Sequence, residues 1–99
     1  MNPIDRFKKT NTEGNLWIYI LLLGKGQEAV TDQVPALIFE KFGFLPNGIL
    51  CSAVLFRLKR GGFISNERVA GKGAYITTLK GSDELQKMKN FAREFIDKI

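Results

Sequence analysis

The segment from Pro46 to Gly81, PNGILCSAVLFRLKRGGFISNERVAGKGAYITTLKG, decides the fold of this 99-residue chain. Apolar residues at helical spacing follow Asn47 and stop at a pair of glycines. Two short stretches with strand-forming residues then flank a glycine-rich turn, and a threonine precedes another helical pattern. The segment therefore predicts a helix, a β-hairpin and the start of a further helix, in that order.

This order is typical of a winged helix-turn-helix, in which a recognition helix lies in the major groove of duplex DNA and a basic hairpin contacts the backbone. The expected fold class is α+β and mostly α, with three helices, a β-hairpin wing and a C-terminal dimerisation helix. We expect a flexible N-terminal arm over residues 1–12, a winged helix-turn-helix domain over 13–81 and the dimerisation helix over 82–99.

Positive charge is concentrated in the same segment. The formal net charge is +5, and residues 45–81 carry six lysines or arginines against one acidic residue. Residues 28–44 carry one basic residue against three acidic ones, and residues 82–99 carry four of each. A surface that faces phosphates has such an excess, although a basic segment is also typical of an ordinary solvated face.

The predicted third helix starts at its cap, Asn47, and has two faces at 100° per residue. Leu50, Cys51, Val54, Leu55 and Leu58 form the core arc. On the other face, Ser52 can hydrogen-bond to a base edge, and Ile49 and Ala53 can contact thymine methyl groups. Phe56 fits either a groove contact or burial against the fold. The predicted DNA-binding residues of this helix are Asn47, Ile49, Ser52, Ala53, Phe56, Arg57, Lys59 and Arg60.

The predicted hairpin has strands over residues 63–69 and 74–77, with the tip over 70–73. Glycines at the tip permit positive φ angles and leave Lys72 projecting. Arg68 and Lys72 are expected to contact phosphates or the minor groove, although an ordinary solvated hairpin would have the same pattern.

Two more helices precede this segment. The first begins near Thr12 or Glu13 and is apolar on every side from Leu16 to Leu23, so we expect it to be covered on more than one face. The second is expected to be capped by Thr31 or Asp32, with Pro35 in its first turn and its end at Gly43. Residues 1–12 fit a frayed terminus, an arm that reaches DNA or an extension that packs on a partner subunit.

The last helix, capped by Ser82 or Thr78, carries apolar residues at spacings of three and four. This seam favours association, although packing onto the core of the same chain is the alternative. The predicted dimerisation residues, from the first and last helices, are Leu16, Trp17, Ile20, Leu85, Met88, Ala92, Phe95 and Ile99.

Other classes of protein are disfavoured. One cysteine excludes an internal disulfide, and without histidine the usual zinc spacings cannot be assembled, so we expect no metal and no cofactor. The acidic residues are scattered and no general base stands out, which argues against an enzyme. The longest apolar run, residues 16–23, is too short to cross a bilayer, so we expect no membrane partner. A cytoplasmic, DNA-associated protein fits best, and a pure protein-interaction module is the alternative.

Residues 13–98 resemble the PadR-like winged-helix proteins. The resemblance lies in FGFLPNG at Phe42–Gly48, FRLKRGGFI at Phe56–Ile64 and YITTLKG at Tyr75–Gly81. Where that family often has a tyrosine in the recognition helix, this chain has Ser52 or Cys51, so a contact by that tyrosine is not expected here.

The resemblance implies a homodimer held by its first and last helices on a near-palindromic duplex DNA site. Most proteins of this kind are transcriptional repressors, and this is the expected function. The module is also similar to DNA-binding components of archaeal plasmid partition systems, which bind a centromere-like site and recruit a partner protein. Some relatives bind flat apolar ligands between their subunits, but Trp17 is better explained as a packing residue.

Overall fold

Helices make up most of the protein, and three short strands form one small sheet. The computed structural model describes residues 2–99. The helices are α1 (Pro3–Thr10), α2 (Leu16–Leu23), α3 (Val34–Phe42), α4 (Gly48–Arg60) and α5 (Leu79–Asp97), and the strands are β1 (Ala29–Val30), β2 (Ile64–Val69) and β3 (Lys72–Thr77). Single 3-10 turns at Glu13–Asn15 and Thr31–Gln33 lead into α2 and α3. The predicted α+β, mostly α fold with a hairpin after its third main helix is confirmed.

Helix α2 lies at the centre of the molecule. It packs against α3, α4, α5 and β3, which explains why its sequence has no polar face. Leu16, Ile20, Leu21 and Leu23 are buried in the main core, together with Tyr75 of β3 and Leu85 of α5. The expectation that this helix is covered on several sides is therefore confirmed, and the cover comes largely from the protein's own chain.

The sheet has the order β1-β3-β2 and is antiparallel throughout. In the hairpin Val69 pairs with Lys72, so the turn consists of Ala70 and Gly71 alone, with φ angles of +50° and +78°. Two consecutive positive φ angles are typical of a type I′ turn. The turn is thus shorter than the predicted 70–73 tip, and Lys72 is the first residue of β3.

Two side chains of β3 fasten the hairpin to α2. The Tyr75 hydroxyl donates a hydrogen bond to the Ile20 carbonyl oxygen at 2.7 Å, and the Thr77 hydroxyl donates one to the Leu21 carbonyl oxygen at 2.7 Å. Gly81 in the first turn of α5 lies against the Phe63 carbonyl, where any β-carbon would clash with the backbone. These contacts fix the hairpin and α5 relative to the helical core.

The turn between α3 and α4 is built as the sequence predicts. Gly43 ends α3 with a φ of +85°, and the Asn47 side-chain oxygen accepts hydrogen bonds from the backbone nitrogens of Ile49 (2.8 Å) and Leu50 (3.1 Å). This cap satisfies two of the unpaired donors at the start of α4. The expected cap by Thr31 or Asp32 is wrong, because no side chain caps the start of α3 or of the 3-10 turn before it.

The N-terminal segment is a helix where a flexible arm was expected. The Asn2 side chain accepts a hydrogen bond from the Asp5 backbone nitrogen at 3.0 Å, and Pro3 occupies the first turn of α1. At the other end the Tyr19 hydroxyl donates to the Asn11 carbonyl oxygen, which connects the end of α1 to α2. Met1, which also belonged to the expected arm, lies outside the described residues.

Helix α5 begins earlier than Ser82, because Thr78 is its cap and accepts a hydrogen bond from the Gly81 backbone nitrogen at 3.2 Å. Among residues 2–99, no helix combines the length and the apolar character that crossing a bilayer requires.

Candidate nucleic-acid interface

The outward face of α4 is open to solvent. Ile49 is 83% exposed and Phe56 64% exposed, whereas Cys51, Leu55 and Leu58 are buried beneath them. Ser52 is exposed and Ala53 half-buried on the same outward face. The predicted division of this helix into a core side and an accessible side is therefore correct, and burial of Phe56 against the fold is excluded.

The cations at the end of α4 are free of acidic partners. Arg57, Lys59 and Arg60 are exposed, and none of them forms an ion pair within residues 2–99. The ion pair found among residues 2–99 lies elsewhere, between Lys87 and Glu84 of α5, with a nitrogen–oxygen distance of 3.3 Å. Cations at a helix C-terminus are favourable because they oppose the helix dipole. Their charge is also available to an anionic ligand.

The hairpin lies beside α4 and shares a surface with it. A groove of about 220 Å³ is lined by Ser52, Phe56 and Lys59 of α4 and by Asn66 of β2, with Thr31, Leu55, Ile64 and Tyr75 completing its wall. A wider cleft of about 480 Å³ continues along the hairpin past Asn66, Glu67 and Arg68. Asn66 and Thr31 were not among the predicted site residues, and only the polar character of Asn66 within an alternating strand gave any indication.

The two predicted hairpin cations have different surroundings. An Arg68 guanidinium nitrogen donates a hydrogen bond to the Gly71 carbonyl oxygen at 3.0 Å, so this side chain folds along the turn and stabilises it. Lys72 is exposed opposite Val69, without a side-chain partner among the described residues. Arg68 retains further donors, but its position is partly set by the hairpin itself.

Asn47 has a structural task that limits its other contacts. Its side-chain oxygen is committed to the two backbone nitrogens of α4. Any contact that it makes with DNA therefore falls to its amide nitrogen.

The thiol of Cys51 is buried and is not placed to act as a nucleophile. Cys51 is 2% exposed, and burial, together with the nearby Glu13 carboxylate, raises its pKa. The reactive thiolate is therefore disfavoured. Within residues 2–99, no three acidic or cysteine side chains are grouped so that they could hold a metal ion.

Large apolar side chains are also exposed on α1 and, separately, at the C-terminal end of the chain. Phe91, Phe95, Ile96 and Ile99 are 49–88% exposed along the end of α5, and Ile4 and Phe7 of α1 are each 55% exposed. Leu16, Ile20 and Leu85, which were predicted to mediate dimerisation, are at most 2% exposed and pack in the protein's own core. These three assignments are therefore wrong. Trp17, Met88 and Ala92 are half-buried.

Solved structures with a similar fold are known. No family model matches the chain, and no curated protein matches its sequence. The fold is similar to a winged-helix DNA-binding protein from STIV, with a TM-score of 0.71 and 15% identity over 86% of this chain and 94% of that one. A PadR family transcription regulator from Clostridium difficile has a TM-score of 0.69 and 21% identity, covering 84% and 91%. A transcriptional regulator from Clostridium thermocellum has a TM-score of 0.66 and 15% identity, covering 100% and 97%. The protein therefore has a winged-helix fold like that of PadR-type regulators.

Proposed function

We propose that this protein is a DNA-binding transcriptional regulator, a homodimeric repressor that acts on duplex DNA in the cytoplasm. The observation that carries the proposal is the open face of α4, which ends in three cations without ion-pair partners among residues 2–99 and shares a groove with the hairpin. A helix with an accessible face beside a basic hairpin is what a winged helix-turn-helix inserts into the major groove. The fold neighbours, whose titles name DNA binding or transcriptional regulation, add support.

In the proposed complex the start of α4 contacts the bases. Ser52 donates to or accepts from a base edge, while Ile49 and Ala53 contact thymine methyl groups. Phe56 covers the groove wall between α4 and β2, where it lines the shared groove with Asn66. These contacts would determine which sequence is preferred.

The cations would provide most of the affinity by replacing counterions on the phosphates. Arg57, Lys59 and Arg60 are placed at the end of α4, and Arg68 and Lys72 near the hairpin turn. This division assigns sequence preference to one end of α4 and general affinity to the other end and the hairpin.

The homodimer is proposed from the exposed apolar side chains at the C-terminal end of the chain and on α1. Phe91, Phe95, Ile96 and Ile99 follow one another closely at the C-terminal end and are all exposed, and several large apolar side chains exposed together typically mark a protein contact. A second copy is the fitting occupant, because a two-fold dimer buries the same patch on both subunits and matches a near-palindromic site. Phe91, Phe95, Ile96 and Ile99 with Ile4 and Phe7 are the residues we assign to this interface.

The proposal is tested by selecting bound sequences from random DNA duplexes and then measuring affinity at several salt concentrations. We expect one near-palindromic motif and a log-log salt slope that becomes less steep by about 0.9 for each phosphate contact removed, starting with Lys59→Ala and Arg60→Ala. Affinity that is independent of salt, or no enrichment above random sequence, would contradict DNA recognition and favour a protein-interaction module.

Footprinting distinguishes the two DNA-based roles. Protection of one palindrome near a promoter supports repression. Protection that spreads outward as the protein concentration rises supports the plasmid partition role, in which the DNA-bound protein recruits a partner protein.

A further inference from the structure

Helix α1 places two cations beside the start of α4. A surface groove of about 530 Å³ lies between α1 and α4. It is lined by Arg6, Lys9 and Thr10 of α1, by Glu13 and Gly14 of the following 3-10 turn, and by Leu50 of α4. Both cations are exposed, and neither forms an ion pair within the described part of the chain. The groove therefore has cationic side chains on one wall and the recognition helix on the other.

This groove lies on the side of α4 that is away from the hairpin. Ile49 lies near the middle of the outward face of α4. At 100° per residue, Leu50 lies on one flank of this face, and Ser52 and Lys59 lie on the opposite flank. Ser52 and Lys59 line the groove shared with the hairpin, and Leu50 lines the groove shared with α1. The outward face of α4 is thus bordered by hairpin residues on one side and by α1 residues on the other.

The position of α1 is held by contacts at its C-terminal end. The Tyr19 hydroxyl donates to the Asn11 carbonyl oxygen, and the Asn15 side chain donates to the Asn11 side-chain oxygen at 3.4 Å. The Tyr19 ring also packs edge-on against Phe42 and Phe44, with ring centroids 4.9 Å apart in each pair. Phe42 ends α3 and Phe44 lies in the turn before α4, so Tyr19 links the end of α1 to this turn.

The two faces of α1 have different characters. Arg6 and Lys9 are three residues apart and share one face, and Ile4 and Phe7 share the roughly opposite face. The apolar face is the one that we assign to the dimer. The basic face is therefore left for another ligand.

We infer that Arg6 and Lys9 form a second phosphate-binding edge, so that the protein contacts the DNA backbone on both flanks of α4. This inference rests on the proposed DNA-binding function. Glu13 lies in the same groove and weakens the attraction, since its carboxylate repels phosphate.

The test compares single variants of adjacent residues on one helix. Lys9→Gln and Arg6→Gln are expected to make the log-log salt slope of DNA binding less steep by about 0.9 each. Lys8→Gln removes the same charge from α1 but outside the groove, and its slope should stay at the wild-type value. Lys9→Arg should also retain the slope, which excludes an effect of side-chain replacement alone.

A fifth variant should have the opposite effect. Glu13→Gln should tighten DNA binding by about threefold at low salt, because it removes a like charge from the groove. Circular dichroism and sedimentation of each variant establish that the helix and the oligomeric state are retained.

The outcomes separate this inference from the proposed function. Equal slopes for Arg6→Gln, Lys8→Gln and Lys9→Gln would overturn the inference, while a less steep slope in Lys59→Ala would still uphold DNA recognition by α4. If the wild-type protein bound no duplex DNA in a salt-dependent manner, both would fall together.

Discussion

The hydroxyl of Tyr75 on β3 donates a hydrogen bond to the carbonyl oxygen of Ile20 on α2 at 2.7 Å, although the two residues are 55 positions apart in the chain. Tyr75 is 1% exposed, so the bond lies inside the core. The bond joins the base of the hairpin to the central helix. Because α2 also packs against α4, the bond helps to fix the position of the hairpin relative to α4.

Tyr75→Phe should destabilise the protein by about 1 kcal/mol, the typical net value of one hydrogen bond. The loss is modest because the Ile20 carbonyl oxygen also accepts a hydrogen bond from the Gly24 backbone nitrogen, at 3.3 Å, and is not left unpaired. Urea unfolding measures the change, and Thr77→Val, which removes the neighbouring bond to Leu21, is the matched comparison. A stability equal to wild type in Tyr75→Phe would show that the bond contributes nothing.

The same tyrosine predicts a loss of stability at alkaline pH. Burial raises the pKa of Tyr75 well above its ordinary value near 10 in the folded state. The unfolded chain then loses this proton first, so the contribution of Tyr75 is complete below about pH 10 and declines as the pH rises further. The free energy of unfolding of wild type should therefore fall relative to that of Tyr75→Phe as the pH rises above about 10. A constant difference would contradict the assignment.

Substitutions of Asn47 should separate folding from DNA binding. Asn47→Ala removes the cap of α4 and should cost about 1 kcal/mol of stability. Asn47→Asp keeps a capping oxygen, so its stability should remain near wild type, but its negative charge at the base-reading end of α4 should weaken DNA binding. Urea unfolding and gel shifts measure the two effects. Unchanged DNA affinity in Asn47→Asp would place the start of α4 away from DNA.

Lys72 and Ser52 should affect DNA binding in different ways. Lys72→Ala should weaken binding to specific and random duplexes by a similar factor and make the salt slope less steep by about 0.9, as expected for a phosphate contact. Ser52→Ala should instead change which sequences are preferred, as expected for a base contact. Competition assays with the selected motif and random DNA measure both. Equal losses on both kinds of DNA for Ser52→Ala would contradict its role in sequence preference.

Charges placed on the apolar end of α5 should dissociate the dimer. Phe91→Glu combined with Phe95→Glu should give a monomer in sedimentation equilibrium, because two carboxylates per subunit would be buried without partners. Gln86→Glu, on an exposed polar position of the same helix, is the control and should remain dimeric. A dimer that survives the double substitution would place the interface elsewhere.

Much of the fold follows from residues whose conformational preference is strong. Gly43 and Asn47 mark the boundaries of the helix-turn-helix, and both behave as the sequence predicts. The buried arc of α4 was predictable because apolar and outward residues alternate at helical spacing. Element order alone was enough to identify the hairpin.

Other features depend on tertiary contacts that leave little trace in the sequence. β1 has two residues and is defined by its pairing with Tyr75 and Ala74, so no periodicity marks it. Helix α2 is apolar on every side, and its sequence therefore could not show that Leu16 and Ile20 face the core of the same chain. The start of α1 does carry a local signal, because Asn2 is a favourable cap and Pro3 suits the first turn of a helix.

Because Cys51 is enclosed beneath the outward face of α4, the protein contains its own reporter of unfolding. A thiol-reactive dye should modify the folded chain only as fast as the core opens. At dye concentrations where modification is faster than reclosing, the rate of labelling gives the opening frequency of α4, with and without DNA, in a protein that has no other thiol to protect or remove.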